Sequence, residues 1–185
     1  MNRKRVFIKR LLSLLFTCVF MASISIDVYA YKTTGYIWNS SNINYYYDNY
    51  NTSRGQAFFA EGVTAWNNAN VDATISFSSG SGFCITEVSN SSVQWDGITN
   101  LSLSWGYIST GTIVAINMAA TTTWNDNGAL KSVIVHEIGH VLGLGENGTT
   151  QTIMNAGTWG ANSRYGGYSL TTPQSDDKNG INAIY

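Results

Sequence analysis

Charge, proline, cysteine and histidine are all scarce in this chain. Only 11% of its 185 residues are charged, and ten Lys+Arg stand against eleven Asp+Glu. No basic excess exists to drive nucleic-acid binding. A single proline, Pro173, excludes proline-rich linkers. Two cysteines, Cys18 and Cys84, exclude a disulfide-dense scaffold, and two histidines exclude a multi-zinc one. Low charge does not mean disorder here. Hydrophobic residues make up 44% and aromatics 13%, enough for a sizeable core. The length fits one domain, alone or behind a leader.

The N-terminus reads as a secretory signal peptide. Arg3, Lys4, Arg5, Lys9 and Arg10 precede an apolar run over 11–26, and Val28-Tyr29-Ala30 supplies a small-residue cleavage site after Ala30. The run is short and carries Ser13, Thr17 and Ser23, which argues against a membrane anchor. Removal of 1–30 takes five of the ten basic residues and one acid, Asp27, leaving 31–185 with five against ten and a net charge of −5. The expected product is a secreted monomer that repels nucleic acid and anionic membranes. Cys84 then has no intramolecular partner and is read as a small hydrophobe.

Hydrophobic periodicity orders the rest as strand, helix, strands, helix, loop, helix. Residues 37–47 alternate like a strand. Ser53 is the expected N-cap of a helix in which Phe58, Phe59, Val63 and Trp66 recur at helical spacing, ending near Asn70. Strands are expected at 74–77 and 112–118, and short β-like pieces separated by Gly and Ser over 80–104, such as 83–88. The cluster Asn125-Asp126-Asn127-Gly128 opens a helix over 129–142, ended by Gly143 and Gly145. A last helix follows Pro173, with Asp176 and Asp177 in its first turn. The fold class is α+β, one mixed domain over 31–185.

Both histidines, His136 and His140, stand at i and i+4 in HEIGH. That spacing stacks two imidazoles on one helix face, close enough to share a metal. Glu137 is adjacent, suited to handle protons without ligating. A third ligand requires the helix to stop, and Gly143 supplies the left-handed residue for the turn. No third His exists, and Glu146 is the only Glu downstream of His140. Glu146 is therefore the expected third ligand, with a solvated loop carboxylate as the alternative and Asp176 or Asp177 as the fallback.

The string HEIGHVLGLGE resembles the zinc site of the metzincin peptidases, and within them the matrixins. Thr152-Ile153-Met154-Asn155 looks like their Met-turn, and 173–185 is similar to their closing helix. The resemblance implies a twisted mixed sheet with an antiparallel edge strand, two long helices and a C-terminal helix. It implies one Zn²⁺ per chain on His136, His140 and Glu146, Glu137 as general base, and Met154 as an apolar floor. It also implies a protein or peptide substrate pairing with an edge strand taken here as Ile113, Val114, Ala115, Ile116 and the residues after them. The chain departs from the family in its Glu ligand, in lacking histidines for a structural zinc, and in Asn155-Ala156-Gly157 after the methionine. That last change leaves Trp159, Tyr165 and Tyr168 as candidates for the specificity wall. An acidic chain makes Ca²⁺ plausible, with Asp96 and Asp126 as weak candidates. The competing reading is a secreted binding protein that keeps the fold without activity; the presence of Glu137 argues against it.

Overall fold

The computed structural model describes residues 31–49, 51–148 and 151–185. The expected leader over 1–30, with its cleavage site, lies outside the described residues. The strands are β1 (Asn42–Tyr47), β2 (Thr74–Phe77), β3 (Phe83–Val88), β4 (Gly97–Asn100), β5 (Leu103–Ser104), β6 (Tyr107–Ile108) and β7 (Ile113–Asn117). The helices are α1 (Ser53–Asn67), α2 (Thr121–Asn125), α3 (Asn127–Val141) and α4 (Ser175–Ile184).

Helix α3 is the centre of the core. Leu130, Val133, Ile134, Val135, Ile138 and Val141 are all fully buried, so the helix is apolar nearly all round. Asp126 caps it, its Oδ1 accepting from the Ala129 amide at 2.9 Å. Helix α1 packs across α3 through Phe59, Val63 and Trp66, side chains whose burial is worth about 1.5–3 kcal/mol each. The approach is close at Gly62, where a Cβ would stand 2.5 Å from Ile134 Cγ2. Trp66 donates its indole N–H to the Val135 carbonyl at 2.8 Å. The N-cap of α1 is Thr52, one residue before the expected Ser53: its hydroxyl accepts from the Gly55 amide. The helix stops at Asn67, and Asn70 takes a positive φ of 56° beyond it.

The main sheet runs β2-β1-β3-β7-β4, parallel except for β4. In β1, Asn42 and Asn44 face solvent while Ile43 and Tyr45 enter the core, the period-two pattern of a half-buried strand. The strand begins only at Asn42; before it, Trp38 is tied to α3 through its indole N–H on the Val141 carbonyl.

One sequence expectation is corrected here. Residues 113–118 are not the edge. Strand β7 is paired on both sides, to β3 and to β4, and Val114, Ala115 and Ile116 are buried. Strong apolar character marks a strand inside a sheet. The antiparallel edge is β4, whose sequence GITN is short and weakly apolar, as edge strands often are. Two further elements were not expected, the short α2 and the β5–β6 hairpin that follows β4. Among the described residues no helix is long and apolar enough to cross a membrane.

Candidate metal centre

The end of α3 decides the geometry of the site. Gly143 takes φ +99°, its amide bonds the His140 carbonyl at 3.0 Å, and the Leu144 amide bonds the Gly139 carbonyl at 3.0 Å. That is a Schellman cap, which reverses the chain one residue past the helix. The Asn147 amide then bonds the Met154 carbonyl at 2.8 Å and closes a loop. Glu146 is thereby carried back over the helix face that holds both histidines.

Three donor atoms converge. His136 Nε2 and His140 Nε2 are 3.2 Å apart, and Glu146 Oε1 lies 3.4 and 3.3 Å from them. The other nitrogen of each ring is committed: His136 Nδ1 faces the Ile153 carbonyl and His140 Nδ1 the Leu144 carbonyl, both at 2.8 Å. Those carbonyls can only accept, so they hold the protons on Nδ1 and turn both Nε2 lone pairs inward. Two lone pairs and a carboxylate facing one point repel each other unless a cation lies between them. Tetrahedral zinc with ligand distances of about 2.0–2.1 Å sets neighbouring donors about 3.3 Å apart, so the donor set fits the metal in type and in span. Among the described residues this is the one group of three or more His, Cys, Asp or Glu close enough to hold an ion. Asp126 and Asp177 are engaged elsewhere. Asp126 accepts from the Ala129 amide and the Tyr165 hydroxyl. Asp177 accepts from three backbone amides.

Electrostatics agree with this arrangement. Burial draws the His136 imidazole below its ordinary pKa, helped by the charge of Arg164. Burial also pulls on His140, but Glu146 and Glu137 outweigh it and leave His140 raised. For Glu146, burial pushes the carboxyl up, yet the two facing imidazoles hold it well below the usual carboxylate range.

Glu137 turns into a cleft of about 330 Å³ lined also by Thr34, Gly97, Thr99, Leu101, His140 and Glu146. It is only 5% exposed. Thr99 Oγ1 on β4 lies 2.8 Å from Glu137 Oε2 and 2.9 Å from the Glu137 carbonyl, so its hydroxyl can donate to either. Gly97 is the other half of the seat: a Cβ there would meet Glu137 Cγ at 2.9 Å and Oε1 at 3.1 Å. A larger hollow of about 540 Å³ beside α1, lined by Ala57, Thr64, Lys131 and Lys178, contains none of these groups.

Behind the histidines, Met154 is 2% exposed, and its sulfur occupies the space that a side chain on Gly139 would need. Asp177 of α4 pins this turn, accepting from the Ile153 amide at 2.9 Å and the Met154 amide at 3.3 Å. Arg164, 2% exposed, donates to the carbonyls of Asn155 and Ala156 and to Thr158 Oγ1. Sequence reasoning missed Thr99, Gly97, Arg164 and the pinning role of Asp177. The acidic pair after Pro173 was visible, but what it touches was not.

Two sequence candidates lie elsewhere. The Tyr165 hydroxyl donates to Asp126 Oδ1, ten residues before His136 and so about 15 Å down the helix. Trp159 stacks edge-on against Tyr165 and donates to Thr123 Oγ1, so the two rings serve α2 and the start of α3. Tyr168 is half-buried in the same loop. With Val114, Ala115 and Ile116 inside the sheet, the strand that borders the cleft is β4.

The matrixin family model (Peptidase_M10) matches residues 37–185. No curated protein matches the chain. Among solved structures, a chain of the GM1-bound form of the ECX AB5 holotoxin aligns with TM-score 0.54 at 16% identity, covering 83% of this chain and 85% of its own. Myroilysin aligns with TM-score 0.56 at 14% identity, covering 84% of this chain and 98% of its own. At such identities the two structures speak to the fold alone.

Proposed function

This chain belongs to the matrixin family, and from that premise we propose that it is a secreted zinc-dependent endopeptidase, exported by its first thirty residues. The observation that carries the reading is the convergence of His136, His140 and Glu146 at one point with Glu137 beside it in the same cleft.

His136, His140 and Glu146 hold one Zn²⁺, which when bound supplies a Lewis acid for the scissile carbonyl and a more acidic water. Glu137 takes the proton of the attacking water on its carboxylate and passes it to the leaving amine. The Thr99 hydroxyl keeps Oε2 of Glu137 in one orientation for both transfers. Gly97 leaves room for that carboxylate between β4 and α3. Among the described residues no strand pairs with the outer edge of β4, which borders the cleft, and an extended peptide can add to it as a further strand. Arg164 holds the loop after Met154 in place through the carbonyls of Asn155 and Ala156. Because Glu146 is anionic, the centre carries one positive charge fewer than a three-histidine site.

The test is a casein zymogram of the purified protein with and without a zinc chelator. Clearing that the chelator abolishes and added zinc restores supports the reading. A folded, zinc-loaded protein that clears nothing overturns it.

A further inference from the structure

The β5–β6 hairpin presents an aromatic side chain in a backbone conformation that a bulky residue avoids. Its strands pair Leu103 with Ile108 and Ser104 with Tyr107, leaving Trp105 and Gly106 as a two-residue turn. Both turn residues have positive φ, 53° and 84°, the mark of a type I′ turn. Asn-Gly is the preferred pair for that turn, and a bulky residue at positive φ is an outlier. Trp105 is also 97% exposed, so packing does not explain its choice. Strain kept at an exposed aromatic points to a function for the side chain.

The hairpin is firmly rooted. The Ile108 side chain is 3% exposed, its amide bonds the Ile37 carbonyl at 2.8 Å, and the Ser109 amide bonds the Ser102 carbonyl at 2.8 Å. Both roots lead to the metal cleft. Thr34, three residues from Ile37, lines that cleft, and so does Leu101, four residues from Trp105. Four residues span at most about 14 Å, the reach of about four residues of extended substrate. Leu103 and Tyr107 add apolar surface, 44% and 41% exposed. No charged residue or histidine occurs between Asp96 and Asp126. This stretch therefore offers nothing to an anionic lipid headgroup or a charged ligand.

We propose that the β5–β6 hairpin is a substrate-docking arm, on which Trp105 takes apolar side chains of an extended polypeptide running out of the cleft past Leu101. The proposal rests on the peptidase reading for its substrate class. Trp105 is not among the residues that line the cleft, so it serves chains that extend beyond the cleft more than those confined to it.

Trp105→Asn removes the ring while installing the preferred turn pair, so the variant keeps the hairpin. Phe77→Ser is the control, since Phe77 is 59% exposed on β2, the opposite edge of the sheet. Zinc-loaded protein is assayed on unfolded casein and on a fluorogenic peptide of about four residues, cleaved near its middle so that only about two residues extend to either side. W105N is expected to lower kcat/KM on casein about tenfold, through KM, and to change peptide turnover less than about twofold. F77S changes neither. In the Glu137→Gln background, adding W105N is expected to weaken binding of labelled casein about tenfold by anisotropy. The proposal is overturned if W105N affects both substrates equally or neither, or if casein binding is unmoved. It is equally overturned if W105N alters only binding to phosphatidylcholine vesicles or self-association. A wild-type protein that cleaves neither substrate refutes the peptidase reading, and the binding comparison then decides the arm alone.

Discussion

Replacing Asp177 by alanine should loosen the metal centre from behind, and the structure sets the size of the effect. The carboxylate is 1% exposed and accepts from the amides of Ile153, Met154 and Gln174 at 2.9, 3.3 and 2.7 Å. The Ile153 and Met154 amides are buried, and each left without a partner costs about 1–3 kcal/mol, the longer Met154 bond at the low end. The Gln174 amide belongs to the capping box of α4, and losing that cap costs about 1 kcal/mol. Together these amount to about 3–5 kcal/mol, or roughly a 10 °C fall in Tm for a domain of this size. Zinc affinity should fall as well, because the Ile153 carbonyl orients His136. Losing such an orienting partner costs about 10–100-fold in metal affinity. The assay is thermal unfolding of the metal-free protein alongside zinc titration of the native one. A second variant, Asp177→Asn, keeps the shape while removing the charge and one of the two acceptor oxygens. Burial pushes the Asp177 carboxyl above its ordinary range despite the three amides. A carboxyl raised in the folded state contributes stability that is full below its unfolded pKa and is lost as pH rises through the folded one. Wild-type stability should therefore fall relative to D177N as pH rises from about 4. If D177A loses less than about 1 kcal/mol and binds zinc as before, Asp177 does not pin the turn.

Three further outcomes are expected. Glu146→Ala should lose zinc on dialysis and Glu146→His should recover it; an E146A protein that keeps one tightly bound zinc per chain would place the third ligand elsewhere. Thr99→Val should keep zinc but lower kcat about tenfold by releasing Glu137 from its hydroxyl partner, measured as steady-state hydrolysis against metal content. Gly143→Ala meets φ +99° and a Tyr36 carbonyl 2.7 Å from the new Cβ, so it should cost about 2 kcal/mol or more by denaturant unfolding and displace Glu146.

What was legible in the sequence was what is local. The periodicity of α1 and α3, the i, i+4 histidines and the glycine after them all act within a few residues, and the structure places them as read. Strands β2 and β3 likewise coincide with their apolar runs at 74–77 and 83–88. Strand β4 was legible only as one of the short β-like pieces of 80–104, without bounds or place in the sheet, because GITN carries no period-two apolar signal and pairs by virtue of its neighbour β7. The strongest β pattern, in β7, was taken for the edge when it marks the interior. The Trp105–Gly106 turn lacks the Asn-Gly or Asp-Gly signature that announces a hairpin. Asp177 reaches residues 23 and 24 positions earlier, and Thr99 reaches Glu137 across 38, contacts that no local pattern encodes. Tyr165 was offered for the cleft wall because the segment after Met154 departs from the family, while the fold bonds its hydroxyl to Asp126 at the start of α3.

In the proposed peptidase, His136, His140 and Glu146 hold a catalytic zinc while Glu137 moves the proton. This assignment is tested most directly by measuring zinc content and casein hydrolysis together in the wild-type protein and in Glu137→Gln. One zinc per chain is expected in both, with chelator-sensitive hydrolysis in the wild type and a loss of at least about 100-fold in the variant. Near-native turnover in zinc-loaded E137Q, or wild-type hydrolysis that survives complete removal of the metal, would contradict it.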